Sequence, residues 1–374
     1  MKNPAFTLPM EYQSLYLHVP FCRHICDYCA LYSIVDDRDS TRDAYLAKMT
    51  AQLQAHSSEL QNLDSIFIGG GTPSALTPDQ LRLLLAAVNL NTRRRDHCEW
   101  TVECNPGSVT EEKIALLAAA GVNRLSFGAQ STTRSTRRTL GRRTGDRELR
   151  QALELARAAG FLRLNADLIY GVPGQSLADF QHDLDSLLAE GLSHISAYSL
   201  ILEEGTPLAA RIDEVDDALA VEMDTLAGEV LGRAGLLRYE ISNHARPGEE
   251  SRHNLGIWLG AKYLGLGPAA ASFDGLRRWT ELPDLQAWLQ GAPPEDDPLS
   301  PEKRAAEVVA FGFRTASGWP KKLLTDLHGV NALAQLLPVF RRLEAEGLLE
   351  ETAEDWKPTR RGLLFADLVA SKLI

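Results

Sequence analysis

Residues 22–29 read CRHICDYC and follow closely on an apolar segment, Ser14–Val19, that predicts a first strand. The three cysteines have the spacing C-x₃-C-x₂-C. Thiolates on one short loop can each bind a different iron of a [4Fe–4S] cluster, which leaves the fourth iron to a distant cysteine or to an exchangeable molecule. The loop therefore predicts a cluster bound by Cys22, Cys26 and Cys29.

The residues alone leave two other uses open for this loop. A zinc ion would take His18 or His24 as its fourth ligand, but structural zinc is commonly bound by two separated pairs of ligands. The three thiols could also be buried and free. The chain holds five cysteines, and an odd count in 374 residues argues against a disulfide framework. We expect the other two, Cys98 and Cys104, to be packed thiols.

The composition restricts the partners and the location of the protein. Hydrophobic residues make up 44% of the chain, enough for a sizeable core, and 50 acids against 39 bases give a net charge of −11. An acidic chain is unsuited to non-specific binding of nucleic acid or of an anionic membrane surface. No apolar run reaches the ~18 residues of a membrane span, and residues 1–11 lack the layout of a signal peptide. We expect a cytoplasmic protein with no integral membrane association and no nucleic-acid partner.

The first two thirds of the chain alternate strand-like and helix-like patterns. We predict strands at 14–19, 65–68, 100–103, 124–127, 162–167 and 194–200, and helices at 40–59, 78–90, 111–120, 147–159, 177–190 and 216–234. Thr77 before Pro78 marks a helix start, and Gly121 and Gly160 stand just past helix ends. Six successive β–α units predict an α/β domain over residues 1–235, a parallel sheet curled into a partial (β/α)₆ barrel.

The pattern changes after residue 235. A short strand is predicted at 238–241, a loop at 243–254, and a linker at 291–301, where GAPPEDDPLSP contains four prolines. We read residues 236–300 as a connecting segment. Residues 301–374 predict a small, mainly helical domain with helices at 301–313, 321–327, 332–346 and 361–372 and a hairpin of 348–351 and 356–358. This layout resembles a winged helix, but no helix concentrates the basic residues that DNA binding requires.

Residues with distinct chemistry lie at the ends of the predicted strands. GGGTP at 69–73 follows the second strand, Glu103 ends the third, Gln130 and later Arg142 follow the fourth, and Asp167 ends the fifth. Glycines there allow a ligand to approach the backbone closely. The carboxyl ends of parallel strands share one rim, and barrels place their active sites on that rim. We therefore expect these residues and the cysteine loop to form one site.

The cysteine loop and these strand ends resemble the radical SAM superfamily. The resemblance implies that S-adenosylmethionine (SAM) chelates the open iron, and that an external donor, which the sequence does not identify, supplies the electron that cleaves the sulfonium. By position, three residues would contact the cluster-bound SAM: Tyr16, Gly70 and Glu103. Six others match positions that bind a second SAM in dehydrogenase relatives: Tyr28, Gly71, Thr72, Gln130, Arg142 and Asp167.

Within this superfamily, the chain resembles the oxygen-independent coproporphyrinogen oxidase-like branch over nearly its whole length, including 239–243 (YEISN), 251–254 (SRHN) and the C-terminal domain. Dehydrogenases of this branch carry a longer N-terminal arm and a further cysteine two residues after the third, where Leu31 stands here. The chain looks most like the heme chaperones of the branch. That resemblance implies heme as a ligand, hemoproteins as recipients, and His253 as the candidate axial ligand of the heme iron.

Two positions depart from the chaperone pattern. Chaperones usually read H-N-x-x-Y-W, and Ile257 replaces the tyrosine; Thr144 stands where a histidine usually follows Leu-Gly-Arg. The alternative function is a radical SAM C-methyltransferase that uses two SAM molecules, which the retained second-SAM set would fit. Coproporphyrinogen III dehydrogenase is disfavoured by Leu31. The arginines between residues 134 and 150 are either a solvated helix face or a clamp for the carboxylates of SAM or a porphyrin.

Overall fold

Strands and helices alternate through the first two thirds of the computed structural model, which describes residues 11–374 apart from the side chains of residues 327–333. The elements are β1 (Ser14–Val19), α1 (Asp39–Ala55), β2 (Leu63–Gly70), α2 (Pro78–Asn91), β3 (Arg94–Cys104), α3 (Glu111–Ala120), β4 (Arg124–Gln130), α4 (Arg134–Thr139), α5 (Asp146–Ala158), β5 (Arg163–Tyr170), α6 (Leu177–Ala189), β6 (His194–Ser199) and α7 (Asp217–Arg233). The six predicted strands and the helices between them are confirmed. The signal-peptide prediction rests on residues that, apart from Glu11, lie outside the described ones.

Local sequence explains where several of these helices begin and end. Thr77 caps α2 by accepting a hydrogen bond from the Gln80 backbone, and the Gln80 side chain accepts one from the Thr77 backbone in return. Gly121 ends α3 with φ of 95°, a conformation that glycine adopts without a steric cost. Helix α1 ends at Ala55, earlier than predicted, because residues 57–59 form a separate 3₁₀ turn.

The six strands form the parallel sheet that the sequence predicts. Strands β1 to β6 pair in chain order, each parallel to the next. Their side chains are almost all buried, as expected for a parallel sheet covered by helices. The far side of β6 pairs with a later antiparallel strand rather than with β1, so the barrel is open. The predicted partial (β/α)₆ barrel is therefore confirmed.

The middle segment extends this sheet at both edges. Its elements are β7 (Leu237–Arg238), β8 (Asn243–Ala245), α8 (Arg252–Trp258), β9 (Tyr263–Leu266), β10 (Ala271–Phe273), β11 (Arg278–Thr280), α9 (Leu285–Gln290) and β12 (Glu295–Asp297). Strand β9 is parallel to β1, and β8 is antiparallel to β6. The segment is thus part of the large sheet.

Several expectations for this segment were wrong. The predicted strand at 238–241 stops at Arg238, and the stretch expected to be a loop contains β8 and the start of α8. Part of the Pro-rich stretch expected to be a linker forms β12, which pairs antiparallel with β11. Proline lacks a backbone N–H, but an edge strand tolerates prolines beside it because one of its sides needs no partner.

The C-terminal part contains helices around a small sheet. Its elements are α10 (Pro301–Gly312), β13 (Trp319–Pro320), α11 (Lys321–Ala345), β14 (Leu349–Glu351), β15 (Asp355–Pro358), α12 (Arg360–Leu364) and α13 (Ala366–Leu373). The predicted hairpin is confirmed as β14 and β15, with β13 as a third strand. The two helices predicted at 321–327 and 332–346 are one continuous helix, because a single glycine such as Gly329 costs a helix only about 1 kcal/mol.

Buried charges attach the C-terminal part to the edge of the large sheet. Arg304 of α10 is 2% exposed and pairs with Glu307 and, at 3.1 Å, with Asp297 of β12. Arg278 of β11 donates to Glu307 at 2.6 Å. Removing one partner would leave a buried charge unpaired, so this network fixes the two parts to each other. Among the described residues, no helix is long and apolar enough to cross a membrane.

Candidate functional site

One cavity of about 540 Å³ lies at the carboxyl edge of the sheet, and residues at or after the ends of all six parallel strands line it. This is the rim at which the sequence predicts the site. The structure brings together there all the predicted site residues except Tyr16 and His253: Cys22, Cys26, Tyr28, Cys29, Gly70, Gly71, Thr72, Glu103, Gln130, Arg142 and Asp167.

Hydrogen bonds to neighbouring segments hold the cysteine loop in place. The Cys22 backbone donates to the Ile34 carbonyl at 2.9 Å, and the Asp27 backbone donates to the Leu140 carbonyl at 3.1 Å. The Asp27 carboxylate also pairs with Arg211 at 2.7 Å. The loop is therefore fixed at its start and in its middle, which positions the thiols before any ligand binds.

The three thiols sit among groups that can stabilise a thiolate. The Cys22 sulfur lies 3.4 Å from the Thr72 hydroxyl, and the Arg142 guanidinium donates to the Cys26 sulfur at 3.6 Å. Burial raises the pKa of the Cys22 and Cys29 thiols, and a bound metal would lower it again. In the described part of the chain, no three His, Cys, Asp or Glu side chains are grouped closely enough to hold a metal ion.

The other two cysteines are buried thiols. Cys98 is 7% exposed and Cys104 is 4% exposed. Burial raises the pKa of each to about 12, so both are neutral at physiological pH. Cys104 lines the cavity beside Glu103, whereas Cys98 lies near the middle of β3 and does not line the cavity.

The glycine run at the end of β2 forms a wall of the cavity without side chains. Gly70 has φ of +106°, and a Cβ there would lie 2.7 Å from the His18 ring. A Cβ on Gly69 would lie 2.7 Å from the Glu103 carboxylate. Larger residues would clash at both positions, and the bare backbone leaves room for a ligand.

Two half-buried carboxyl groups, Glu103 and Asp167, add acidic chemistry to the cavity. Burial and, to a smaller extent, the nearby Asp167 raise the pKa of Glu103 to about 8, against the effect of a 3.2 Å hydrogen bond from the Gly70 N–H. Burial also raises the pKa of Asp167, although Asn165 donates to it at 2.7 Å. Neither carboxyl forms an ion pair with a described side chain. A cationic ligand would therefore stabilise both in their ionised form.

Arg142 links the cysteine loop to β4, and Tyr28 is part of that loop. Arg142 donates to the Gly128 carbonyl as well as to Cys26, but its Nε is buried and has no hydrogen-bond partner among the described residues. Burial raises the pKa of the Tyr28 phenol, which keeps it a neutral donor. An anionic ligand group in the cavity would give the unpartnered Nε an acceptor.

Gln130 is held in an unusual backbone conformation by a residue that sequence reasoning missed. Its φ is +68°, in the left-handed region that non-glycine residues rarely adopt. The next three residues bind the carboxylate of Asp183 on α6, which is completely buried. Asp183 accepts from the Ser131 hydroxyl at 2.6 Å and from the Thr132 and Thr133 backbones at 2.8 and 2.9 Å. The carboxylate therefore positions the turn that carries Gln130.

Tyr198 is a second residue that sequence reasoning missed. It lies near the end of β6, opposite Ile169 of β5, and lines the cavity. Burial of its phenol holds the pKa of that group well above the usual value. The side chain nevertheless keeps 40% of its surface accessible, as expected for a side chain that borders the cavity. The sequence contained one indication that Tyr198 belongs to the site: it is among the last residues of a predicted strand.

Tyr16 does not line the cavity. Its hydroxyl lies 3.0 Å from His18 Nδ1, and the other ring nitrogen of His18 lies 2.8 Å from the Tyr32 carbonyl. His18 is itself the residue against which Gly70 packs. Tyr16 thus supports the cavity wall through His18.

His253 lies in the barrel interior near the amino ends of the strands. It is 4% exposed, its ring stacks on Phe67 at 4.9 Å, and its Nδ1 lies 2.9 Å from the Ser65 hydroxyl. Burial lowers the pKa of His253 to about 3, so the ring is neutral. An iron could reach this ring only if α8 moved.

The residues beside His253 close this end of the barrel. Glu99 of β3 is completely buried, and it accepts hydrogen bonds from the Ser251 hydroxyl and the His253 backbone at 3.3 and 3.2 Å. Arg124 and Arg163 lie 3.7 and 3.8 Å from the same carboxylate. This carboxylate is compensated by cations, unlike those in the cavity.

The structure shows the contacts of the positions that depart from the family patterns. Leu31 lines the cavity and is 62% exposed, so it presents an apolar side chain at its edge. Thr144 donates to the Asn105 side chain at 2.7 Å, next to Glu103 in the chain. Ile257 packs against the hydrophobic core of the C-terminal part, so this position serves packing.

Comparison with known proteins identifies relatives along the whole chain. The radical SAM superfamily model matches residues 16–187, and the HemN C-terminal domain model matches residues 299–365. The heme chaperone HemW of Bacillus subtilis (strain 168) is 31% identical over 96% of this chain and 98% of its own length. The heme chaperone HemW of Mycobacterium tuberculosis (strain ATCC 25618 / H37Rv) is 33% identical over 98% and 96%.

A solved structure shares the fold. Coproporphyrinogen III oxidase (HemN) from Escherichia coli, described as a radical SAM enzyme, superimposes with a TM-score of 0.83 over 98% of this chain and 91% of its own. The two sequences are 21% identical. This likeness establishes that the barrel and the C-terminal part have the same arrangement in both.

Proposed function

The chain belongs to the HemW family of heme chaperones within the radical SAM superfamily, and from this membership we propose that it binds heme and transfers it to hemoproteins. We further propose that it carries a [4Fe–4S] cluster and SAM while doing so. The observation that carries the proposal is similarity to heme chaperones along nearly the full length of both chains. Heme, recipient hemoproteins and a one-electron donor are the proposed partners.

The donor set at the cysteine loop fits a cluster. Cys22, Cys26 and Cys29 line one cavity, on a loop that hydrogen bonds hold in place. Radical SAM proteins use a [4Fe–4S] cluster, in which each thiolate binds a different iron. No three of the described side chains are close enough together to hold a single metal ion. A cluster does not require such a group, because each thiolate binds a different iron. We therefore assign the three thiols as cluster ligands.

The walls of the cavity fit SAM. The side-chain-free backbone at Gly70 and Gly71 admits a ligand close to the thiols, and the Glu103 carboxylate beside it would accept hydrogen bonds and favour positive charge. Arg142 offers an unpartnered Nε for a carboxylate. When bound, the cluster and SAM supply one-electron reductive cleavage of the sulfonium. The chain's own residues orient the ligand and limit the access of water.

The structure offers two candidate sites for the heme. His253 is the residue that the sequence predicts, and its use would require α8 to open. The exposed apolar side chains at the cavity edge, Leu31 and Ile201, offer a second place for a macrocycle. The first site lies near the amino ends of the strands, and the second lies at their carboxyl ends.

A heme titration tests the proposal. Heme is added to anaerobically reconstituted protein and the Soret band is followed; we expect saturable binding near one heme per chain. The variant His253→Ala is compared with His182→Ala, a control on α6. Weaker binding in His253→Ala alone would place the heme at α8, and unchanged binding would place it elsewhere. Absence of saturable binding to the wild-type protein would contradict the chaperone function.

One observation favours a second candidate function, radical SAM methyl transfer with two SAM molecules. Tyr28, Gln130, Arg142 and Asp167 all line the cavity that also holds Glu103 and the thiols. Methyl transfer forms S-adenosylhomocysteine, whereas heme transfer does not, so product analysis during turnover separates the two. Coproporphyrinogen III dehydrogenation is disfavoured, because Leu31 occupies the position of the additional cysteine.

A further inference from the structure

A second, smaller cavity touches the cysteine loop from the side of the loops that follow β3 and α4. We call it the arginine notch; its volume is about 190 Å³, and its lining includes Arg23, Arg142, Arg143, His24 and Cys26. No function assigned above uses Arg23 or Arg143.

The notch is locally positive on a chain whose net charge is −11. Three guanidinium groups line it and no Asp or Glu does. Arg23 and Arg143 are exposed, and neither forms an ion pair with a described carboxylate; Arg23 only donates to the Gly107 carbonyl at 3.3 Å. Arg23 also borders a neighbouring cavity that is lined by Arg42 and Lys113 as well as by Asp37 and two glutamates, so the charges there are mixed, whereas those of the notch are all positive.

The notch shares walls with the main cavity. Cys26 and Arg142 line both, and Arg142 donates to the Cys26 sulfur at 3.6 Å. The notch therefore reaches a proposed cluster ligand without passing through the space proposed for SAM. An electron that arrives at the notch has only the cysteine loop to cross.

We propose that the arginine notch is the docking site of an acidic redox protein that delivers one electron to the cluster. This inference rests on the proposed cluster and is independent of heme. One electron passes from the donor's reduced centre to the [4Fe–4S]²⁺ cluster, which leaves the donor oxidised and the cluster as [4Fe–4S]⁺; no bond forms or breaks.

Charge complementarity favours a protein over a small anion as the occupant. The guanidinium groups of Arg23 and Arg143 are exposed at the surface, where carboxylates on a partner's surface can bind them in bidentate fashion. The acidic remainder of the chain would repel such a partner elsewhere, so the notch would orient it as well as attract it.

Stopped-flow reduction of the cluster tests this site. Anaerobically reconstituted protein is mixed at low salt with pre-reduced plant-type ferredoxin, an acidic [2Fe–2S] protein. The variant Arg23→Glu/Arg143→Glu is compared with Arg95→Glu/Arg360→Glu, which changes the charge equally at exposed arginines elsewhere. We expect the notch variant to slow second-order reduction at least about tenfold and the control variant to change it less than about twofold. High salt should reduce the difference.

Two further measurements separate docking from damage to the cluster. Photoreduced 5-deazariboflavin, a small neutral reductant, should reduce all three proteins at equal rates. Calorimetric titration with oxidised ferredoxin should show weaker binding to the notch variant, with or without the cluster.

Several results would overturn the inference. Equal ferredoxin rates in the notch and control variants would do so, as would slower reduction of the notch variant by deazariboflavin. Binding of inorganic phosphate at the notch, without any effect of the variant on ferredoxin, would show a small-anion site instead. Iron analysis distinguishes these results from a wild-type protein that fails to assemble a cluster, which would also overturn the proposed function.

Discussion

Glu99 and Glu103 lie on the same strand, β3, yet they have opposite surroundings. Glu99, at the amino end of the barrel, has two arginines within 3.8 Å and accepts hydrogen bonds from Ser251 and His253. Glu103, at the carboxyl end, has no cation partner among the described residues, and burial raises its pKa to about 8. One carboxylate is paired with arginines of the protein, and the other has no described cation beside it.

This contrast extends to the whole of each end. The amino end is closed by α8 and by the ion pairs of Glu99. The carboxyl end has an open cavity, a wall of glycines and a residue at positive φ, Gln130. The amino end therefore contributes to stability, whereas strained or unpaired groups are concentrated at the carboxyl end.

The largest expected effect is on the cluster. The triple variant Cys22→Ala/Cys26→Ala/Cys29→Ala should lose all cluster absorbance and bound iron after reconstitution, because no thiolate then remains on the loop. Cys98→Ala, near the middle of β3 and outside the cavity, is the matched control and should keep both. Iron retained by the triple variant would show that the metal binds elsewhere.

The two glutamates should differ next in stability. Glu99→Gln leaves Arg124 buried without its partner and should lower the free energy of unfolding by about 3 kcal/mol. Glu103→Gln should not lower it, because no cation depends on this carboxylate. Urea unfolding of the cluster-free proteins measures both. Equal losses would remove the distinction between the two ends.

The raised pKa of Glu103 predicts a pH dependence of stability. Between about pH 4.5 and pH 8, the unfolded chain loses the Glu103 proton while the folded chain keeps it, so this group makes the protein less stable as pH rises. The slope is at most about 1.4 kcal/mol per pH unit. Urea unfolding should show that slope in the wild type relative to Glu103→Gln. Parallel pH profiles would mean that Glu103 ionises normally.

The smallest effect concerns the turn after β4. Asp183→Asn removes the charge that accepts hydrogen bonds from Thr132 and Thr133, so it should weaken SAM binding roughly three- to tenfold by loosening the position of Gln130. Asp185→Asn changes an exposed residue of the same helix and should leave the affinity unchanged. Equilibrium dialysis with labelled SAM measures both, and equal affinities would exclude this positioning role.

Much of the fold could be predicted because β1 to β6 are short apolar runs bounded by turn residues. The strand β12 could not be predicted. Its three residues are acidic and exposed, and they form a strand only because β11 lies beside them. The continuous helix α11 was predicted as two helices because Gly329 and Asn331 are poor helix formers, whose cost is small once both flanks are fixed.

Most of the site could also be predicted from the positions of the strands. Residues at strand ends meet on one rim, so nearly all the predicted ligands line one cavity. The burial of His253 was not predictable, because no local pattern shows that α8 folds under the barrel beside Glu99. Asp183 was also missed, because its role depends on a contact between α6 and a turn distant in sequence.

The central claim is that the carboxyl end, and not the amino end, binds the cluster and SAM. Electron paramagnetic resonance of the reduced, reconstituted protein tests it directly, because SAM that chelates an iron changes the spectrum of the cluster. We predict that SAM shifts the spectrum of the wild-type protein and of Cys98→Ala alike, and that Glu103→Gln needs more SAM for the same shift. A spectrum that SAM leaves unchanged in the wild-type protein would contradict the claim.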